Sequence, residues 1–191
     1  MAALHLASRR VPAAVLAVLV CAAGLRFALR WEWDAYGALQ LPLIFETGCA
    51  VAIAVTAASP FGEPERATGR WLPFLRLGST LALTAVAVAA LTAARSGDLV
   101  AVLRDTGGLT GVGLLCAAVF GGALAWAGPT GYLVVAVYAQ YSLWHPPALS
   151  TPWIWPARPP LDTGGAVCAG LVFLAGVALV ASRGARDVTA T

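Results

Sequence analysis

The chain alternates between long apolar runs and short polar breaks. The runs cover about residues 11–29, 38–58, 74–94, 110–127, 130–144 and 164–181. Most are close to the roughly 20 apolar residues that a helix needs to cross a bilayer. The pattern predicts an all-α, polytopic transmembrane helical bundle of about six spans, with residues 1–191 as one integral membrane domain. Between spans two and three lies a polar hinge, 59–70, broken by Pro60, Gly62, Pro64 and Gly69. Gly128-Pro129 separates runs four and five, either as a tight turn or as a kink in one long helix. Run five is short and carries Tyr132, Tyr138, Gln140 and Tyr141. Its polar side chains suit a tilted helix or one lining a polar interior.

Composition sharpens this picture. Of 191 residues, 60% are hydrophobic and 11% charged, against about 45–50% and about 25% in a soluble domain. So few charges cannot cover a globular surface in water, which excludes an ordinary soluble enzyme, a disordered chain and a nucleic-acid binder. All 12 basic residues are Arg. With no Lys the chain has neither a P-loop lysine nor a Schiff-base lysine. The net charge of +3, with no basic run, is too small for nucleic-acid binding.

The arginines set the orientation. With the N-terminus inside, Arg9, Arg10, Arg66, Arg70, Arg76, Arg183 and Arg186 are cytoplasmic, and Arg26, Arg30, Arg95, Arg104 and Arg158 are outside. The outer set has acids nearby, at Glu32, Asp34, Asp98, Asp105 and Asp162. Both termini are therefore expected in the cytoplasm, and the first span is read as an uncleaved anchor in the plasma membrane. Trp31, Trp33, Trp71, Trp126 and Trp144 fall at the predicted interfaces, where a half-wet indole is favoured.

Glu46 is the candidate for a substrate path or a proton carrier, because a carboxylate inside a span costs a few kcal/mol unless paired, hydrated or protonated. The alternative is a packing contact to Arg26, Arg30 or Thr47. In the hinge, Glu63, Glu65, Arg66 and Arg70 are candidates for docking a cytoplasmic partner, or simply solvate a connector. Residues 95–113 read as a short interfacial helix followed by glycines that let the chain bend or pack closely, with Arg104-Asp105 at the membrane edge and Asp105 or Thr106 capping the fourth helix. Gly107 with Gly111, and the row Gly113, Ala117, Gly121 and Ala125, provide small residues for close helix packing. Residues 145–160 hold six prolines and cannot form one helix; Trp153 and Trp155 are expected to rest at the outer interface, either as a connector or as a lid.

Cys21, Cys49, Cys116 and Cys168 show no CxxC spacing, and His5 and His145 lie apart from any cluster. The cysteines read as small buried hydrophobes, and no metal or cofactor is implied. Ser142, His145 and Asp162 share a loop by chance, and no catalytic set emerges; the chain is not expected to be an enzyme.

The stretches Ser59-Pro60-Phe61-Gly62-Glu63-Pro64-Glu65-Arg66, Leu75-Arg76-Leu77-Gly78 and Arg104-Asp105-Thr106-Gly107-Gly108-Leu109-Thr110-Gly111 resemble small permease-like membrane proteins of high-GC bacteria. With six spans and both ends inside, the chain looks like the membrane subunit of an ABC-2 type transporter. The resemblance implies a separate ATPase docked on cytoplasmic segments, an oligomer within the lipid bilayer, and an outer element before the last span, where the Pro/Trp loop lies. An amphipathic helix before the first span, usual in that family, is not evident. The rival reading is a structural or assembly protein that moves nothing.

Overall fold

A computed structural model describes residues 10–31, 35–57, 72–95, 99–141 and 151–183. Within them the chain is helical and has no strand: α1 Val11–Ala28, α2 Ala35–Thr56, α3 Leu72–Arg95, α4 Leu99–Phe120, α5 Ala127–Tyr141 and α6 Thr163–Arg183. Two single 3₁₀ turns, Gly122–Leu124 and Trp155–Ala157, precede α5 and α6. Five stretches are long and apolar enough to cross a membrane: α1, Phe74–Arg95, α4, Gly122–Gln140 and Thr163–Ser182. The apolar part of α2, Gln40–Thr56, is shorter. The protein is thus an apolar helical bundle built for a membrane. Leu16, Leu19, Val20 and Phe27 of α1 and Leu171 and Leu174 of α6 stand exposed, as side chains that meet lipid would.

The α-helix suits such a setting because it satisfies its own backbone. Polar side chains follow the same rule: the hydroxyls of Thr47, Thr80 and Thr84 each donate to the carbonyl four residues back, at 2.7–2.9 Å. Pro42 lies inside α2 and is buried. It removes one donor from the helix ladder.

The fourth helix departs from the sequence expectation. It begins at Leu99 rather than 110 and ends at Phe120 rather than 127. Residues expected to bend at the interface instead continue the helix, so Asp105 and Thr106 lie mid-helix and cap nothing. The break falls at Gly121, whose φ of 96° is open to glycine and strained for any other residue. Gly128 and Pro129 sit in the first turn of α5, where a proline's missing N–H costs little. Spans four and five are therefore separate helices.

α4 is the hub. Two-thirds (67%) of its most apolar 18-residue stretch is buried, against 22% to 39% in the corresponding stretches of the other membrane-length segments, and it packs on α2, α3, α5 and α6. Small residues make this crowding feasible. A Cβ on Gly111 would stand 2.6 Å from the backbone of Phe173 in α6, and one on Gly113 would stand 2.6 Å from the Ala54 Cβ in α2. Gly107, by contrast, has nothing within 4 Å of such a Cβ. The expected row continues only through Ala117, since Gly121 and Ala125 lie beyond the helix end. Around the hub, Val18, Leu25, Ile53, Leu91 and Val102 join α1 to α4 in one apolar core. Ala54, Leu114 and Val177 form a second core between α2, α4 and α6.

Candidate functional site

Glu46 lies on the twelfth position of α2, about 16 Å along its axis from Ala35, and is 1% exposed. Its Oε1 accepts a hydrogen bond from Arg95 Nη1 at 3.5 Å. Arg95 ends α3, a helix terminus where a cation is favoured, and its side chain is 25% exposed. The long arm lets its head reach Glu46 from the helix end. Arg95 is a partner beyond the three that the sequence suggested. Thr47 turns its hydroxyl back to Leu43, and Arg26 donates to the Ala94 carbonyl at 3.4 Å, beside the same helix end. Charged groups thus converge where α1, α2 and α3 meet.

A second polar cluster was not anticipated. Arg104 and Asp105, expected at the membrane edge, are each 6% exposed. Arg104 Nε donates to Asp105 Oδ1 at 2.9 Å. Its Nη1 donates to the Pro159 carbonyl at 2.7 Å, and Nη2 reaches the Arg158 carbonyl at 3.4 Å. The guanidinium of α4 therefore holds down the segment that precedes α6. That segment is fixed from α5 as well: the Tyr132 hydroxyl donates to the Trp153 carbonyl at 2.7 Å, and Gln140 Nε2 donates to the Pro156 carbonyl at 3.2 Å.

Trp155 completes the fastening. It was expected at the interface, yet it is 2% exposed. Its ring stacks on Tyr132 with centroids 4.6 Å apart and planes at 22°, and it lies over Gly108 so closely that a Cβ there would meet the indole at 2.6 Å. The glycine makes the socket. Trp153 remains half exposed. The segment then ends in Asp162, whose carboxylate accepts from the Gly165 N–H at the start of α6 and from Arg158 Nη2 at 2.8 Å. Arg158 and the Gly165 N–H hold the Asp162 carboxyl below its ordinary range.

Below Arg104, a concave groove of about 250 Å³ opens between α3, α4 and α6, lined by Thr84, Leu103, Arg104, Gly107, Gly170 and Phe173 among others. It is smaller than the roughly 300–1,000 Å³ of drug-sized ligand sites.

Glu63, Glu65, Arg66 and Arg70, the docking candidates, lie outside the described residues. Among the described residues no three metal-ligating side chains gather. No protein family matches the chain, and no curated protein and no solved structure is significantly similar to it.

Proposed function

We propose that this protein is the membrane subunit of an ABC-type transporter, an exporter, driven by a separate ATPase chain. Six spans with both termini in the cytoplasm, α2 included, and a place in the plasma membrane belong to this reading. The observation that carries it is the presence of two ion pairs with buried carboxylates, Glu46–Arg95 and Arg104–Asp105, in an apolar bundle. Ionised groups are expensive in a membrane, and where they occur inside spans they commonly mark a transport path. The sequence has no lysine and so no P-loop lysine, and this reading therefore puts ATP hydrolysis on the separate chain. The hinge residues Glu63, Glu65, Arg66 and Arg70 are the proposed ATPase contact, and the working unit is an oligomer.

The test is co-expression with an ATPase encoded next to this chain. Co-purification and substrate-stimulated ATP hydrolysis are expected, with Glu46→Gln reaching the membrane at normal levels and losing transport. No complex, or full transport by Glu46→Gln, would favour the second reading. That reading is a structural or assembly protein, supported by the close backbone packing of Gly111 and Gly176.

A further inference from the structure

Gly107 of α4 is buried, yet a Cβ placed on it would find nothing within 4 Å. Gly170 of α6 has the same open space beyond it. Both line the groove between α3, α4 and α6. Protein interiors are close-packed, so a gap over a buried glycine leaves room for an occupant. The groove follows the helices. Its lining runs from Val100 to Gly108 on α4 and from Ala166 to Phe173 on α6, about 10–12 Å at a rise of about 1.5 Å per residue. Membrane helices stand about 20° from the bilayer normal on average, so a groove between them points the way lipid chains do. Val100 and Leu103 on its rim are exposed, and the groove opens there to the surrounding lipid. The polar side chains in its lining are already engaged. Arg104 donates from all three guanidinium nitrogens, to Asp105 and to the Arg158 and Pro159 carbonyls. Thr84 donates to the Thr80 carbonyl. What remains is an apolar trough, and an apolar cavity stays dry and takes an apolar guest.

We propose that this groove is an acyl-chain site, which holds one chain of a bilayer phospholipid lengthwise over Gly107 and Gly170. The membrane around the bundle supplies that ligand. A helix of a second copy, about 10–12 Å across, is too broad for a groove of about 250 Å³, whereas a single hydrocarbon chain is slim enough. The seated chain fills the gap that α3, α4 and α6 leave beside Arg104. The site is for the lipid itself and does not depend on what the bundle transports.

The full chain in maltoside micelles is titrated with a phosphatidylethanolamine that carries a diazirine midway along one chain, then irradiated, digested and mapped by mass spectrometry. Gly170 and Phe173, in the groove, should be labelled first and saturate. Leu171 and Leu174 of the same helix are exposed and lie outside the lining, so their labelling should rise in proportion to the probe. Gly107→Leu with Gly170→Leu fills the groove and should cut labelling of Phe173 about tenfold, equivalent to about 1.4 kcal/mol of binding, with Leu174 unchanged. Saturation in the wild type reads the site even where that variant fails to fold. Labelling that follows exposure, strongest at Leu171 and Leu174 and proportional at all four residues, would mean general lipid contact and overturn the proposal. Wild-type labelling of Phe173 in a folded double-leucine variant would do the same. So would no label at Gly170 and Phe173, whether the groove stays empty or a second copy covers it in a dimer.

Discussion

Gly176 of α6 rests on the carbonyl of Gly111 in α4: a Cβ at position 176 would stand 2.6 Å from that oxygen. The obstacle is backbone, so a methyl group there must push two helices apart. Gly176→Ala should lower stability by about 1–3 kcal/mol, the usual cost of overpacking. Gly170→Ala, six residues earlier on the same helix, meets nothing within 4 Å and should leave stability unchanged or slightly raised, since alanine favours helix. Thermal unfolding of the two variants in one detergent separates these outcomes. Equal losses would mean that glycine acts through helix flexibility and not through the α4–α6 contact.

The Glu46–Arg95 pair should show coupling. Arg95→Met leaves a carboxylate that is 1% exposed without this cation, and the loss of a hydrogen bond to a charged group costs about 1.5–3 kcal/mol. Glu46→Gln with Arg95→Met removes both charges and should recover part of that loss, because a buried carboxylate that has lost a cation costs more than a neutral amide in its place. A double-mutant cycle on unfolding midpoints measures the coupling. Strict additivity of the two substitutions would show that the pair contributes nothing as a pair.

Arg104 should not be replaceable by lysine. Its planar fork reaches Asp105 and the carbonyls of Arg158 and Pro159 together, whereas lysine offers a compact point charge on a flexible stem. Arg104→Lys keeps the charge and should still loosen the segment before α6. Amide exchange over residues 151–162 should rise about tenfold, equivalent to about 1.4 kcal/mol, with the α1–α3 core unaffected. Wild-type protection in Arg104→Lys would mean that charge alone holds the segment.

Much of the bundle was legible in the chain, for a physical reason. A membrane span must be apolar over a length set by the bilayer, so α1, α3 and α6 emerge from hydropathy within a few residues of their ends. The error in α4 has an equally physical source. Arg104 and Asp105 look like the edge of a span when taken one residue at a time, which places its start too late. In the folded bundle Gly111 and Gly113 admit neighbouring helices, and the two charges neutralise each other at the helix core. Arg95 ended a span in the sequence, but its pairing with Glu46 depends on how α2 and α3 cross, which hydropathy does not encode. Trp155 misled for a similar reason: its socket is Gly108, 47 positions earlier, and only the fold brings the two together.

Acid should release the segment before α6 through Asp162. Its carboxylate accepts from Arg158 Nη2 and the Gly165 N–H, both of which favour the ionised form and hold its proton affinity below the ordinary value. The folded state therefore binds fewer protons here than the unfolded chain. The stabilisation is complete above the ordinary aspartate range of about 3.9 and is lost as pH falls through the lower folded value. Near-UV circular dichroism follows the change, because the Tyr132–Trp155 stack lies in the fastened segment. In wild type the signal should weaken in acid with a midpoint below about 3.9. Asp162→Asn cannot titrate, so its signal should start lower and lack this transition. The same acid transition in Asp162→Asn would assign it to another carboxylate.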